Sequence, residues 1–140
     1  MSAEQEPSGE RRPTADLGEL RGRRVLVVDD DFQVRSVLAR QLQAAGVEVE
    51  TAPGGAQAMS LLEREHFDAL MLDLDMPGVT GLDVLLHVQR VAPELPVLVV
   101  TGTFEAERIE GAMAVLPKPV DGPSLRRALA EALRSAPAKR

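Results

Sequence analysis

The chain has 140 residues, 44% of them hydrophobic, which is enough for one domain with an ordinary core. With 22 acidic and 16 basic residues, its net charge of -6 opposes the phosphate backbone of nucleic acids. It has no cysteine, which excludes disulfides, thiolate catalysis and thiolate-bound zinc. No apolar run approaches the roughly 20 residues that cross a bilayer. We therefore expect a cytoplasmic protein without a membrane partner, and its negative charge leads us to expect no nucleic-acid partner.

The composition divides the chain into a folded region and two short ends. Residues 1–22 are rich in charge, proline and glycine and contain few apolar side chains, so we expect them to form a flexible tail. Residues 23–136 carry the pattern of one domain, and residues 137–140 follow it as a C-terminal tail.

Short aliphatic runs alternate with amphipathic stretches throughout the folded region. Residues 25–28, 69–72 and 97–100 are such runs, and they predict fully buried central strands. Residues 47–51 alternate valine or threonine with glutamate, which favours an edge strand with one solvated face. A weak fifth strand is predicted at about residues 114–116.

Helical periods lie between these strands. The first apolar stripe runs from Val34 to Ala45 and ends at Gly46, a typical helix stop. Further helices are predicted at about residues 55–65, 81–91 and 104–111, and a last stripe runs from Leu125 to Leu133. Alternating strands and helices with right-handed crossovers predict a doubly wound α/β fold.

Polar residues follow four of the five predicted strands. In an open α/β sheet, ligands bind beyond the carboxyl ends of the strands, so these residues are predicted to meet at one edge. The residues are Asp29, Asp30 and Asp31 after the first strand, Asp73 after the third, Thr101 after the fourth and Lys118 near the end of the fifth.

The clustered carboxylates favour a magnesium site. Like charges at partly buried positions are costly unless a cation joins them. Magnesium prefers one or two carboxylates, a carbonyl and waters, and Asp30, Asp73 and the carbonyl of Asp75 are suitable ligands. Asp29 is then suited to hold a bound water.

The remaining residues fit phosphoryl transfer. If Asp73 attacks a phosphorus atom, the metal, Lys118 and the Thr101 hydroxyl neutralise charge on the equatorial oxygens. Taken singly, each feature also has an ordinary structural interpretation: a helix cap, a turn or a solvated lysine. Their occurrence together, each directly after a predicted strand, favours the site.

Four segments together resemble the receiver domains of two-component response regulators. They are VLVVDDD at 25–31, DLDMPGVTG at 73–81, VLVVTG at 97–102 and LPKP at 116–119, and the likeness extends over about residues 24–135. The resemblance implies a flavodoxin-like fold, a five-stranded parallel sheet in the order 2-1-3-4-5.

The resemblance also implies a role for each site residue. Asp73 is the phosphoacceptor, phosphorylated by a sensor histidine kinase or phosphotransfer protein, and phosphorylation alters binding to a downstream protein. Asp29, Asp30, Asp73 and the carbonyl of Asp75 hold Mg²⁺, Thr101 contacts the phosphoryl group, Lys118 pairs with it, and the Lys118-Pro119 peptide is cis.

Two features depart from the family pattern. Val115 stands three residues before Lys118, where receivers commonly have an aromatic residue that reports movement of the threonine. Only sixteen residues separate Thr101 from Lys118, so the fourth helix, residues 104–111, is shortened to about two turns. Because only SAPAKR follows the last helix, we expect a stand-alone receiver without a DNA-binding output domain. Because the fourth helix is short, we also expect a monomer.

Two alternatives remain open from the sequence. Asp73-Leu74-Asp75 after an apolar strand also resembles the nucleophile motif of haloacid dehalogenase-like phosphatases. In that family, however, the acidic pair comes last, whereas here Asp29 and Asp30 come first. The second alternative is a receiver that binds partners without being phosphorylated. The complete set of site residues favours a phosphoacceptor domain that is not a turnover enzyme.

Overall fold

A computed structural model describes residues 18–102 and 109–135 of the chain. The described elements, in chain order, are β1 Arg24–Val28, α1 Phe32–Gln43, β2 Glu48–Ala52, α2 Gly55–Arg64, β3 Ala69–Asp73, α3 Gly81–Val91, β4 Val97–Thr101, β5 Ala114–Pro117 and α4 Gly122–Ser135. The strands form one sheet in the order β2-β1-β3-β4-β5, and every neighbouring pair is parallel. The predicted doubly wound sheet with the order 2-1-3-4-5 is confirmed.

The central strands are aliphatic along their whole length because both faces of the sheet are covered. Successive strand residues point to opposite faces. Val25 and Val27 of β1 belong to a core cluster with residues of α1 and α4, while Leu26 and Val28 belong to a second cluster with residues of α2 and α3. The edge strand β2 pairs only with β1, and its Glu48 and Thr51 are exposed.

Local signals in the sequence set where α1 and α3 begin and where α1 ends. The Asp31 side chain caps α1 by accepting hydrogen bonds from the backbone N–H groups of Gln33 and Val34. Gly46 has a φ of 89° beyond the end of that helix, as predicted for a glycine stop. Thr80 and Asp83 form a reciprocal capping box at the start of α3. These caps fix where the loops at the sheet's carboxyl edge give way to helix.

The domain begins earlier than the sequence pattern indicates. Residues 18–20 are helical, Leu20 is fully buried in the cluster between the sheet, α1 and α4, and the Gly22 N–H donates to the carbonyl of Gly46 over 2.8 Å. Glu19 forms an ion pair with Arg134 of α4. The prediction of a flexible tail through residue 22 is therefore wrong for residues 18–22, because one leucine in a polar stretch fills a gap in the core.

Other predictions fall partly outside the described residues. Of the predicted fourth helix, residues 104–108 lie outside them, and residues 109–111 form a turn in which the N–H of Ala112 donates to the carbonyl of Ile109 over 3.0 Å. Residues 1–17 and 137–140 also lie outside. None of the helices in the described parts of the chain has the length and apolarity needed to span a membrane.

Candidate functional site at the carboxyl edge of the sheet

Three adjacent strands each deliver one buried polar side chain to the same edge. Asp29 follows β1, Asp73 is the last residue of β3, and Thr101 is the last residue of β4. Their exposed fractions are 1%, 2% and 2%, in a core whose other buried residues are apolar or glycine over the described part of the chain. Lys118 joins them from β5 because its backbone N–H donates to the carbonyl of Thr101 over 2.9 Å.

Lys118 bridges the two buried carboxylates. Its Nζ lies 3.0 Å from Asp29 Oδ2 and 3.2 Å from Asp73 Oδ1. Asp30, which is exposed, offers a third carboxylate, and one oxygen from each aspartate lies within 4.8 Å of the others. Three carboxylates and one ammonium leave two negative charges when all are ionised, so this hard-oxygen donor set fits a divalent cation such as Mg²⁺.

The loop after β1 fixes the orientation of Asp29. Its Oδ1 accepts a hydrogen bond from the Asp31 backbone N–H at 2.9 Å, and its carbonyl accepts one from Arg35 Nη1 at 2.8 Å. The Arg35 guanidinium also lies 5.4 Å from the centre of the Phe32 ring. Sequence reasoning missed Arg35, whose only signal is its place in the first turn of the helix that follows the acidic run.

The loop after β3 holds Asp73 and Thr101 together. The Asp75 N–H donates to Asp73 Oδ1 at 3.2 Å, and the Thr101 hydroxyl donates to Asp75 Oδ2 at 3.4 Å. The sequence pointed only to the carbonyl of Asp75, so the contact of its side chain with Thr101 is new. Gly81 packs directly on this loop, since a Cβ there would overlap the carbonyl oxygen of Asp73 and lie 2.5 Å from Leu74 Cα.

The environment shifts the pKa values of the two paired groups upward. Burial, followed by the neighbouring charge of Asp29, raises the pKa of Asp73 from its ordinary 3.8 to about 6, although Lys118 and the Asp75 N–H act in the opposite direction. Burial alone lowers the pKa of Lys118, but its hydrogen bonds with Asp29 and Asp73 and their charges outweigh burial, and the net pKa is raised. At neutral pH the site therefore combines a mostly ionised Asp73 carboxylate with a firmly charged Lys118 ammonium.

The structure thus brings together the six residues that the sequence assigned to magnesium binding and phosphoryl transfer. Asp29, Asp30, Asp73, Asp75, Thr101 and Lys118 lie at one edge of the sheet. The Lys118-Pro119 peptide is cis. Val115, at the position of the missing aromatic residue, packs against the core cluster between the sheet, α2 and α3.

The family model described as response regulator receiver domain matches residues 25–130. The chain belongs to this family. A response regulator receiver protein of Anaeromyxobacter sp. (strain Fw109-5) is 38% identical over 108 residues, which are 74% of this chain and 45% of that protein. The response regulator MprA of Mycobacterium leprae is 41% identical over 101 residues, 69% of this chain and 44% of MprA. The chain therefore spans less than half the length of these relatives.

Solved structures of receiver domains show the same fold. The receiver domain protein of Methanospirillum hungatei JF-1 superposes with a TM-score of 0.75 at 27% identity, covering 81% of this chain and 94% of that one. The Thermotoga maritima response regulator TrrA, solved in complex with Mg²⁺-BeF, gives 0.74 at 26% identity, covering 79% and 98%. Receiver domains are signalling modules of two-component systems that are phosphorylated by histidine kinases or phosphotransfer proteins and bind Mg²⁺ at an acidic pocket.

Proposed function

We propose that this receiver domain accepts a phosphoryl group on Asp73 in a Mg²⁺-dependent reaction and then changes its binding to a downstream protein. The observation that carries the proposal is the bridging of Asp73 and Asp29 by Lys118 beside Asp30 and Thr101. The lack of cysteine fits a cytoplasmic location, which belongs to the same proposal. That the chain acts as a stand-alone receiver stays a prediction.

The residues divide the work of the transfer. A carboxylate oxygen of Asp73 forms a bond to phosphorus as the bond from phosphorus to the donor's histidine nitrogen breaks, and that nitrogen keeps the electron pair. The pKa of about 6 leaves Asp73 mostly ionised at neutral pH. The Lys118 ammonium and the Thr101 hydroxyl then stabilise charge on the equatorial oxygens.

Asp29, Asp30 and Asp73, with the carbonyl of Asp75, would hold the magnesium ion. When bound, the ion supplies further neutralisation of charge on the phosphoryl oxygens. We propose no turnover substrate, because Asp29 and Asp30 precede Asp73 in the chain, the reverse of the order in haloacid dehalogenase-like phosphatases.

Phosphoryl uptake tests the proposal directly. The protein is incubated with acetyl phosphate with and without Mg²⁺, and its intact mass is measured. We expect one phosphoryl group only with Mg²⁺ and none in Asp73→Asn. Asp31→Asn is the matched control, because its side chain serves as a helix cap and asparagine caps equally well. Equal uptake by the parent and Asp73→Asn would refute the assignment.

A surface beside the site supports docking of the kinase or phosphotransfer protein. An apolar groove of about 420 Å³ runs between α1 and the loop after β5, lined by Val34 and Val37 on one side and Pro119 and Val120 on the other. Lys118, whose Nζ lies 3.2 Å from Asp73 Oδ1, also lines the groove, so a partner seated there lies beside the phosphoacceptor. Phe32 at the start of α1 is 69% exposed, so its ring is accessible to a partner.

The docking surface has its own test. Phe32→Ala should lower the rate of kinase-dependent phosphorylation while leaving uptake from acetyl phosphate unchanged. Leu86→Ala is the matched control, because Leu86 is 58% exposed on α3, on the opposite face of the sheet. Unchanged kinase-dependent rates in a folded Phe32→Ala protein would exclude Phe32 from the docking surface.

A further inference from the structure

The β3-to-α3 loop carries a residue that contacts both the proposed phosphoacceptor and the threonine. The backbone N–H of Asp75 holds Asp73 Oδ1 at 3.2 Å, and its carboxylate oxygen Oδ2 lies 3.4 Å from the Thr101 hydroxyl. Asp75 is exposed, whereas Asp73 and Thr101 are buried. One surface residue is therefore in contact with two buried groups from different strands.

We propose that the Asp75 carboxylate is a positioning residue, which holds the Thr101 hydroxyl before phosphorylation and releases it to the phosphoryl group afterwards. The inference rests on the proposed function of Asp73. The contact between Thr101 and Asp75 would then depend on whether Asp73 is phosphorylated. This matters here because Val115 stands at the position of the aromatic residue that commonly reports movement of the threonine.

Charge explains why this contact breaks on phosphorylation. The hydroxyl has one hydrogen to donate, so binding to a phosphoryl oxygen requires leaving Asp75 Oδ2. Phosphorylation converts the singly charged Asp73 carboxylate into an acyl phosphate that carries up to two negative charges, and its strong acceptor oxygens compete for that hydrogen and repel the Asp75 carboxylate. The Asp75 backbone N–H also donates a hydrogen bond to Asp73 Oδ1. The loop that carries Asp75 therefore responds both to the loss of the Thr101 contact and to the new charge on Asp73.

Beryllium fluoride, a mimic of the phosphoryl group, makes this competition measurable. Binding in the presence of Mg²⁺ is followed by isothermal titration calorimetry for the parent, Asp75→Ala, Thr101→Val and the double variant. Freeing one hydroxyl from one hydrogen bond corresponds to about a two- to tenfold change in affinity. We compare the effect of Asp75→Ala on the affinity for beryllium fluoride in two backgrounds, the parent and Thr101→Val. In the parent background the effect should be more favourable by that factor.

Asp75→Asn separates the hydrogen bond from the charge. Alanine and asparagine both remove the negative charge, but the asparagine amide oxygen still accepts from Thr101. In the protein without beryllium fluoride, the Thr101 methyl resonance should move in Asp75→Ala and stay closer to the parent position in Asp75→Asn. A merely structural role of Asp75 does not produce this order.

The outcomes distinguish this inference from the function on which it rests. A parent protein that binds no beryllium fluoride overturns both. Binding with the same effect of Asp75→Ala in the two backgrounds overturns the role of Asp75 alone, as does a Thr101 resonance that is identical in all three proteins.

Discussion

Replacing Asp73 with asparagine should stabilise the folded protein at the expense of its proposed activity. The buried carboxylate of Asp73 has a pKa of about 6 against an ordinary 3.8. An acid whose pKa is raised on folding binds its proton more tightly in the folded state, so its ionisation destabilises that state as the pH rises from about 3.8 to 6. Asparagine keeps the size and acceptor oxygen of the side chain and removes the charge.

The size of the effect follows from the shift. A rise from 3.8 to about 6 corresponds to a penalty of about 3 kcal/mol in the parent at pH 8. At pH 4.5 the folded parent is largely protonated at Asp73, and the same relation gives a smaller penalty of about 1 kcal/mol in the free energy of unfolding. The gain in the free energy of unfolding of Asp73→Asn should follow the same trend.

Urea unfolding with EDTA present, at pH 8 and pH 4.5, measures this difference. Far-UV circular dichroism is the suitable signal because the chain has no tryptophan or tyrosine. Asp31→Asn should change stability by less than about 1 kcal/mol, since it keeps the helix cap and loses only a surface charge. A variant no more stable than the parent at pH 8, or a gain that is the same at both pH values, would refute the reasoning.

Three further predictions follow from the same geometry. Gly81→Ala should lower stability by about 1–3 kcal/mol and slow phosphoryl uptake, because its methyl group displaces the Asp73 carbonyl. The stability is measured by urea unfolding. Gly102→Ala is the control, because a Cβ there meets nothing within 4 Å. Lys118→Gln should lower stability at pH 8 by about 2 kcal/mol, since two buried carboxylates lose their shared cation, and a fully stable variant would contradict this. Beryllium fluoride should not produce a dimer through β5, α4 and the segment before β5 in sedimentation experiments, because the sixteen residues between Thr101 and Lys118 supply little of the roughly 800 Å² per partner of a standard interface. A mimic-induced dimer broken by Arg126→Glu in α4 would show the opposite.

Much of the sheet was predictable because a buried parallel strand leaves a strong mark on the sequence. The runs at 25–28, 69–72 and 97–100 are aliphatic because helices cover both faces of the sheet. Their order in the chain, with each polar group directly after a strand, then predicts that the six site residues meet at one edge. Gly46 and the cap at Asp31 mark helix ends by equally local rules.

The rest depends on contacts between distant segments. Leu20 looks like a lone apolar residue in a polar stretch, and only the gap it fills between the sheet, α1 and α4 makes it part of the core. Arg24 forms an ion pair with Glu65 at 2.8 Å and lies 4.7 Å from the centre of the Phe67 ring, 41 and 43 positions further along the chain. No periodicity in either segment carries information about such a partner.

The placement of Thr101 narrows how a signal can leave the site. In this chain Val115, with its short aliphatic side chain, is partly buried against the core, so movement of Thr101 has no large ring on β5 to displace. Among the described residues, the groups that contact Thr101 and Asp73 include Lys118, whose backbone belongs to the loop beside the docking groove, and Asp75, in the loop before α3. We therefore expect a change of charge at Asp73 to act on these two loops, so that a partner in contact with either loop can distinguish the two states of the protein.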